Sequence, residues 1–455
     1  MAQKVKPRVP RGMRDILPEQ MIRRQYVIDV IRSVFEEFGF EPLQTPAIEL
    51  SEILMGKYGP DAEKLIYNAS HRDGKEELSL RYDLSVPLCR VVAMYPELPK
   101  PFKRYQISPV WRAERPQKGR YREFFQCDAD TVGSASMLAD AETLHVIYEV
   151  LTRLGFKKFV MNVNNRKIIT GIGQFSGVPE DLLGGLYRSI DKLDKIGLED
   201  VREELKINEI PEDVINKLLA LLQIEGENKV VLAALRDQLG DYPVALEGIS
   251  ELEEMISYLE ALDIPEANCK VKFAMVRGLE YYTGPIYETV VEEPKIGSIT
   301  GGGRFDNLVG MFMDRSYPAT GTTIGIERII DVMEELDMFP PDVGKTSAQV
   351  LMTLFDQSLV NESLRMANLL RKGGLKTALY FEKDRLGDQI GYAGKKGIPY
   401  VVILGPDELT ADQVTVRNLL RREQQTVKRA EAVRLIKQWM GNYMRHGHND
   451  LEMQL

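Results

Sequence analysis

Apolar and polar residues alternate along two neighbouring stretches of the chain, 104–112 and 122–130. A repeat at every second residue is the period of a β-strand with two different faces. The polar, glycine-containing stretch between them suits a loop, so the pattern predicts two strands joined by that loop. One face of the pair would carry a polar set made of Arg104, Gln106, Arg112, Arg122, Gln126, Asp128 and Asp130.

This polar face indicates chemistry as well as exposure to water. Arginine forks match phosphate oxygens, while glutamine and aspartate together suit a cationic amine or an imidazole. The loop between the strands adds Arg115, Lys118 and Arg120. Alternation alone also fits a solvated hairpin that binds nothing, so both interpretations stay open on this pattern.

Upstream, apolar positions with helical spacing begin at Pro18 and run to Gly39, a residue that can end a helix. The next stretch, 40–50, favours a strand. It contains Pro42 and Pro46, which lack the N–H that a sheet needs, so we expect an edge strand or an interface.

The second half of the chain changes character twice. Residues 171–255 hold 8 basic and 19 acidic side chains, a balance of −11, and their apolar positions follow helical spacing. This predicts an all-helical insertion that folds separately. After a linker at 339–346, strand and helix patterns alternate over 347–445, which predicts a small α/β module, and 446–455 is typical of a flexible tail.

Composition narrows the class of protein. Of the 455 residues, 44% are hydrophobic and 28% are charged, as in ordinary globular proteins. No apolar stretch approaches the roughly 18 residues of a membrane span, and the basic start lacks the apolar segment of a secretory signal. Because the net charge is −9, we expect any polyanion to be bound by a local part of the surface and not by the protein as a whole. The three cysteines, Cys89, Cys127 and Cys269, lie far apart in the sequence and do not suggest a disulfide frame. We therefore expect reduced thiols and a cytoplasmic location.

The segment 104–130 resembles motif 2 of the class II aminoacyl-tRNA synthetases, and most closely its histidyl-tRNA synthetase form. The resemblance implies that Arg112 binds the α-phosphate of ATP, with Glu114 as its acidic companion. It also implies that Gln126 and Asp130 hold the substrate histidine. The loop would meet the acceptor end of tRNA through Arg115, Gln117, Lys118 and Arg120.

Two more segments resemble substrate-binding parts of that family. Asp83, between a predicted strand and a predicted helix, resembles the acid that receives the α-amino group of the substrate. VRGLEYYTG resembles the first histidyl signature, which implies that Arg277 faces the α-phosphate and that Tyr282 contacts the imidazole. The family usually has Asp in place of Glu280, and we expect a small adjustment because the charge is kept.

GGGRFD (301–306) and the segment that starts at residue 321 resemble the second histidyl signature and motif 3. The resemblance places Phe305 in the wall of the histidine pocket, where the family usually has tyrosine, so we expect one polar contact to be lost. In motif 3, Arg328 would reach the γ-phosphate and Gly325 would leave room for adenine. A triple glycine by itself is more typical of a turn, and a lone arginine is more typical of a surface.

The resemblance covers nearly the whole chain and implies both a fold and an activity. The fold is an α+β class II synthetase catalytic domain, an antiparallel sheet flanked by helices, with an all-helical insertion and a C-terminal α/β anticodon-binding domain. The catalytic domain would occupy residues 1–170 and 256–338, and the resemblance of residues 18–50 to motif 1 implies a homodimer. The activity is histidine–tRNA ligation, in which ATP and Mg²⁺ activate L-histidine for transfer to tRNA(His).

Two alternatives remain at this stage. One is a catalytically silent synthetase paralogue acting as a regulatory subunit, such as that of ATP phosphoribosyltransferase, and the other is a sensor of uncharged tRNA. The C-terminal module also carries a basic set that fits either a solvated face or an RNA contact, namely Arg417, Arg421, Arg422, Lys428 and Arg429.

Overall fold

The computed structural model describes residues 5–117, 119–190, 193–275, 281–341 and 343–441. In chain order the strands are β1 (Glu41–Pro42), β2 (Ile48–Leu50), β3 (Asn68–Ala69), β4 (Leu78–Leu80), β5 (Phe102–Trp111), β6 (Glu123–Val132), β7 (Phe159–Asn165), β8 (Cys269–Val271), β9 (Pro285–Val291), β10 (Thr300–Arg304), β11 (Ala319–Ile324), β12 (Val350–Met352), β13 (Thr377–Leu379), β14 (Tyr400–Ile403), β15 (Gln413–Asn418) and β16 (Glu423–Lys428). The helices are α1 (Pro18–Glu37), α2 (Ser51–Leu54), α3 (Pro60–Glu63), α4 (Ser85–Met94), α5 (Met137–Arg153), α6 (Arg166–Ser176), α7 (Glu180–Ile190), α8 (Leu193–Ile207), α9 (Glu212–Leu222), α10 (Asn228–Gln238), α11 (Pro243–Ala261), α12 (Ile326–Glu335), α13 (Val360–Lys372), α14 (Leu386–Lys396), α15 (Pro406–Thr410) and α16 (432–441).

These elements form two units. One holds the chain up to Arg14 together with Val27–Met338, and the other holds Asp15–Tyr26 together with the chain from Phe339 onwards. In the part of the chain that the structure describes, no helix is both long enough and apolar enough to cross a bilayer.

An eight-stranded sheet forms the centre of the first unit, in the order β1-β5-β6-β11-β10-β9-β7-β8. Its pairs are antiparallel except β1–β5 and β7–β8 at its two edges, which are parallel. β5 and β6 are neighbours, as their alternation predicted. Arg104 lies opposite Asp130 and Gln106 opposite Asp128, so these polar side chains share one face of the sheet.

The single strand predicted over 40–50 was wrong. The chain forms β1 against β5 in the large sheet and then β2 against β4 in a separate three-stranded sheet, β2-β4-β3. Pro42 and Pro46 have no N–H to give to a ladder, so one continuous strand could not keep its hydrogen bonds through both positions. The edge position expected for a proline-bearing strand is confirmed, because β1 and β2 are each at the edge of a sheet.

Local signals set several helix ends in this unit. α1 stops before Gly39, which has a φ of 75° and donates its N–H to the carbonyl of Glu36. The Asn165 side chain begins α6 by accepting from the N–H of Lys167. Over 171–255 the described residues contain helices and connecting loops but no strand, as predicted, and the helices reach from α6 to α11. The boundaries and the separate folding of this insertion stay predictions.

The second unit has a five-stranded mixed sheet, in the order β13-β12-β14-β15-β16. The first three strands are parallel and alternate with α13 and α14, as the sequence predicted. The β15–β16 hairpin was not predicted, since β16 is almost wholly exposed and carries no apolar period. Most of the basic set lies on or beside this hairpin, but Arg429 is held in an ion pair with Glu362 at 2.8 Å.

Candidate active site

A cavity of about 550 Å³ lies against the polar face of the large sheet. The sequence-predicted residues in its lining are Asp83, Arg112, Gln117, Arg120, Gln126, Asp130, Tyr282, Phe305, Gly325 and Arg328. A second cavity of about 260 Å³ adjoins it, because both are lined by Arg112, Arg120, Gln126, Ser298, Thr323, Gly325 and Arg328. The structure therefore joins residues from both sides of the helical insertion in one continuous site.

Some predicted residues are not placed there. Arg277 and Lys118 lie outside the described residues. Arg115 is exposed and belongs to the lining of neither cavity. Glu114 lines the smaller cavity, where its carboxylate pairs with the guanidinium of Arg120 at 2.5 Å.

Asp83 is a buried acid with one oxygen already bonded. Its Oδ1 accepts a hydrogen bond from the Tyr58 hydroxyl at 2.9 Å and another from the N–H of Val86 at 3.1 Å. Its Oδ2 is buried and has no hydrogen-bond partner among the described residues. Burial raises the pKa of Asp83, and the two hydrogen bonds oppose that rise. The open oxygen is therefore available to a cationic amine in the cavity.

The acids of β6 lie beside a buried cation. Arg104 and Asp130 form an ion pair at 2.8 Å with side chains 0% and 3% exposed. Arg104 also donates to the carbonyl of Leu84 at 3.0 Å, which fixes its position under the cavity. Burial is the largest cause that raises the pKa of both Asp128 and Asp130, and the charge of Asp130 raises that of Asp128 further. The carboxyl groups of Asp128 and Asp130 thus face the single guanidinium of Arg104, and the site suits a positively charged group.

Two arginines lie where the cavities meet. Arg112, directly after β5, donates to the carbonyl of Tyr82 at 3.1 Å, and its guanidinium lies 4.3 Å from the centre of the Tyr82 ring. Arg328, in the first turn of α12, donates to the carbonyl of Ser298 at 2.6 Å. A Cβ at Gly297 would lie 2.7 Å from a terminal nitrogen of Arg328, so the guanidinium needs a glycine beside it. Both arginines are fixed by backbone contacts, which suits them to a polyphosphate.

The triple glycine lies in a strand, β10, and the turn interpretation was wrong. A Cβ at Gly302 would lie 2.2 Å from the carbonyl oxygen of Gly321, and one at Gly303 would lie 2.9 Å from the Tyr282 ring. Because these glycines have no side chain, β11 and the Tyr282 ring can approach β10 closely. Phe305 is 2% exposed and its ring centre lies 6.0 Å from that of Tyr281, so it contributes an apolar surface to the cavity.

The N-terminal arm contacts the smaller cavity from outside. The guanidinium of Arg14 lies 3.6 Å from the centre of the Tyr121 ring and pairs with the carboxylate of Glu327, and both partners line that cavity. Gly12, with a φ of 82°, accepts a hydrogen bond from the N–H of Arg122 at 2.9 Å. The arm therefore holds the end of the motif 2 loop against the start of α12.

Sequence reasoning missed several of these contributors. Arg104 and Asp128 were on the predicted polar face, and their alternation was a signal, but their partners depend on the strand register. Tyr58 and Arg14 lie in irregular segments with no periodic pattern. Only the folded chain brings these two residues to Asp83 and Tyr121.

Comparisons with known proteins find one family along most of the chain. Residues 12–329 match the family described as Histidyl-tRNA synthetase, and residues 347–439 match the Anticodon binding domain. A histidine–tRNA ligase of Cytophaga hutchinsonii is 40% identical over 94% of this chain and 99% of its own length. One of Aeropyrum pernix is 42% identical over 95% and 98%. Among solved structures, the histidyl-tRNA synthetase of Nostoc sp. PCC 7120 matches with a TM-score of 0.85 and 33% identity, covering 96% of this chain and 100% of that one.

Proposed function

This chain belongs to the histidyl-tRNA synthetase family, and from that premise we propose how its two joined cavities perform histidine–tRNA ligation. The larger cavity takes L-histidine among the acids of β6 and Asp83, and the smaller cavity takes the nucleotide. The observation that carries this proposal is the wall that the cavities share. It places Arg112 and Arg328 between an acid-lined compartment and an aromatic one.

In the first step, a carboxylate oxygen of histidine attacks the α-phosphorus of ATP. The new acyl–phosphate bond replaces the bond from that phosphorus to its bridging oxygen, and pyrophosphate leaves with the electron pair. Arg112 and Arg328 offset the charge on the phosphate oxygens, and Arg277 would join them by resemblance. Because both described arginines are already fixed by carbonyl contacts, little reorganisation is needed when charge develops.

In the second step, a terminal ribose hydroxyl of tRNA(His) attacks the carbonyl carbon of the adenylate. The hydroxyl loses its proton, the new ester bond forms, and AMP leaves with the electron pair of the broken acyl–phosphate bond. The loop, in which Arg115, Gln117 and Arg120 are exposed, would hold the acceptor end at the mouth of the site, and Lys118 would join them by resemblance.

The amino acid would be held by its α-amino group and by its imidazole ring. The open Oδ2 of Asp83 suits the α-amino group. Gln126 and Asp130 line the same cavity, and Asp130 keeps a negative charge with the help of Arg104. Tyr282 packs on Gly303 and forms the aromatic side of the imidazole pocket.

Magnesium would enter with ATP. Within the described residues, no three His, Cys, Asp or Glu side chains cluster as ligands for an ion. This fits an ion carried mainly on phosphate oxygens, which is the usual arrangement for Mg²⁺ with nucleotides. Bound there, it would neutralise charge on the leaving pyrophosphate.

We propose a homodimer that uses the face around β2. β2 is an edge strand, and its side chains Ile48 and Leu50 are 47% and 39% exposed. With Met94, 59% exposed, they border a groove that also includes Phe312. An exposed apolar edge strand in a monomer promotes aggregation with other chains. We therefore propose that a second copy of the chain covers this edge.

The second unit would read the anticodon. Phe355 and Phe381 are 48% and 80% exposed and follow the carboxyl ends of the neighbouring parallel strands β12 and β13. Exposed aromatic rings at one edge of a sheet suit stacking with unpaired bases. Phe381→Ala should raise KM for tRNA while leaving amino-acid activation unchanged. All three cysteines are buried, and a cytoplasmic setting with reduced thiols remains part of this proposal.

The test is ATP–pyrophosphate exchange with each of the twenty amino acids, followed by charging of tRNA(His). We expect exchange with histidine alone, and a loss of at least about 100-fold in Arg112→Ala, as for other preorganised transition-state contacts. Arg434→Ala, which removes an arginine whose side chain is 82% exposed, is the matched control. Exchange with no amino acid would overturn the proposal and favour the silent paralogue.

A further inference from the structure

A glutamine side chain is wholly buried at one end of the parallel strands in the second unit. Gln389, on α14, is 0% exposed. Its Nε2 donates to the carbonyl of Leu354 at 2.8 Å and to that of Asp384 at 2.9 Å. Its Oε1 accepts from the N–H of Leu354 at 2.9 Å. The amide is thus bonded to three backbone groups, and this pattern fixes which of its ends is the oxygen.

These backbone groups belong to the segments that leave β12 and β13. The two strands pair up to Met352 and Leu379, and beyond them the chain enters two different connections. Gln389 bonds both the N–H and the carbonyl of Leu354, as a neighbouring strand would do. The side chain therefore joins the two segments where the strand ladder ends. Buried backbone groups that lost these bonds would be costly, so Gln389 constrains both segments.

The topology makes this end of the sheet suitable for a ligand. The chain runs from β12 outwards to β13 and then returns past β12 to β14. α13 and α14 pack on opposite faces, since Met352 shares a core with Met366 of α13 and Leu351 shares one with Ala393 of α14. In open sheets of this kind, ligands bind outside the carboxyl ends of the strands, where the strand order reverses. Gln389 lies at that place.

An exposed aromatic ring lies on each of the two segments that the buried amide joins. Phe355 comes directly after Leu354 and is 48% exposed, and Phe381 lies three residues before Asp384 and is 80% exposed. Because these rings are largely in water, their positions depend on the backbone that carries them. Bases of a single strand stack on rings that are held at a defined separation. The amide fixes that separation by bonding both backbones.

We propose that Gln389 is a positioning residue for anticodon reading, which holds the segments of Phe355 and Phe381 at the spacing that unpaired bases require. Gln389 acts through these segments and does not touch RNA, because its side chain is wholly buried. The inference rests on the proposed function of the second unit. It adds the residue that organises the binding edge.

The experiment measures the charging of two RNAs by the full chain and by Gln389→Met, which keeps the length of the side chain and removes its hydrogen bonds. One RNA is full-length tRNA(His), and the other is a hairpin that carries only its acceptor stem. We expect KM for the tRNA to rise about 5- to 20-fold, because a misplaced ring keeps only part of its stacking. KM for the hairpin and histidine-dependent ATP–pyrophosphate exchange should stay close to wild type.

Two further variants separate positioning from stability. Met366→Ala removes a buried side chain on the opposite face of the same sheet and should lower the thermal midpoint at least as much as Gln389→Met. Its KM for tRNA should nevertheless stay close to wild type. Gln389→His keeps one donor and one acceptor, so its KM for tRNA should be intermediate. This variant carries the test if Gln389→Met does not fold.

A tRNA(His) with substituted anticodon bases completes the design, and Gln389→Met should discriminate less than wild type between it and the normal tRNA. An unchanged KM for tRNA in the Gln389 variants, an equal rise for tRNA and hairpin, or the same rise in Met366→Ala would overturn the inference. Wild-type protein that uses the tRNA and the hairpin with equal KM would instead overturn the proposed role of the second unit.

Discussion

The guanidinium of Arg14 lies 3.6 Å from the centre of the Tyr121 ring, so a cation from the N-terminal arm rests on the wall of the smaller cavity. Arg14 also pairs with Glu327, whose other carboxylate oxygen accepts from the N–H of Phe125 at 3.3 Å. One arm residue thus connects the motif 2 strand to the motif 3 helix. Arg14 contacts two residues of the cavity wall, so under the proposed function it is a positioning residue for the nucleotide.

Arg14→Met should therefore raise KM for ATP by about 3- to 10-fold, as expected for loss of a partly exposed cation–π contact. The turnover number should change less, because Arg112 and Arg328, the arginines proposed to bind phosphate, stay in place. Steady-state exchange kinetics at varied ATP measure both quantities. Arg8→Met, which alters an exposed arginine of the same arm, is the control. An equal change in KM for ATP in the two variants would contradict the role of Arg14.

Tyr58→Phe should weaken histidine binding in a pH-dependent way. The Tyr58 hydroxyl donates to Asp83 and favours its ionised form, so the variant raises the pKa of Asp83 beyond the increase that burial already causes. In the proposed function an ionised Asp83 binds the α-amino group, and protonation of Asp83 removes that charge as pH falls. The acid limb of the KM profile for histidine should move to higher pH, with a loss of about 5-fold near neutrality. Tyr95→Phe, at a 48% exposed ring, should leave the profile unchanged.

Arg104→Met should destabilise the first unit, because it leaves Asp130 as an uncompensated buried charge. Loss of one partner of a buried pair costs about 3–5 kcal/mol in the free energy of unfolding. Urea unfolding measures it, and Arg104→Met with Asp130→Asn should lose less than Arg104→Met alone. A cost below about 1 kcal/mol would show that Asp130 is neutral in the folded state.

Ile48→Asp should convert the proposed dimer to monomers, since it places a charge on the exposed edge strand β2. Sedimentation velocity across a concentration series gives the mass directly. Ile207→Asp, at a side chain that is 79% exposed on α8, is a control of equal chemistry on another face. Wild-type protein that sediments as a monomer at all concentrations would refute the dimer.

Sequence reasoning succeeded where the determining pattern is local. The alternation in β5 and β6 identified the polar face, and Gly39 marked the end of α1, because both signals lie within a few residues. Motif resemblance then located Asp83, Arg112 and Arg328, and the structure brings them to one site.

What could not be predicted depends on contacts between distant segments. The glycines of β10 are fixed by the approach of Gly321 and Tyr282, which no local pattern reveals. The ion pair of Arg104 needed the β5–β6 register, and Tyr58 reaches Asp83 from a loop. The β15–β16 hairpin was missed because its outer strand is exposed and polar.

The order of the strands in the large sheet also affects how the chain folds while it is being synthesised. Gln126 of β6 and Thr323 of β11 are hydrogen-bonded although 197 residues separate them. A ribosome adding roughly 5–20 residues per second needs on the order of 10–40 seconds to make that interval. Until then β6 is an open edge in the nascent chain, and Asp128 and Asp130 on it are the inward charges that disfavour pairing with other chains. The two acids that line the larger cavity therefore also keep the half-synthesised sheet apart from other chains, and nascent fragments ending before β11 should aggregate more when both are asparagine.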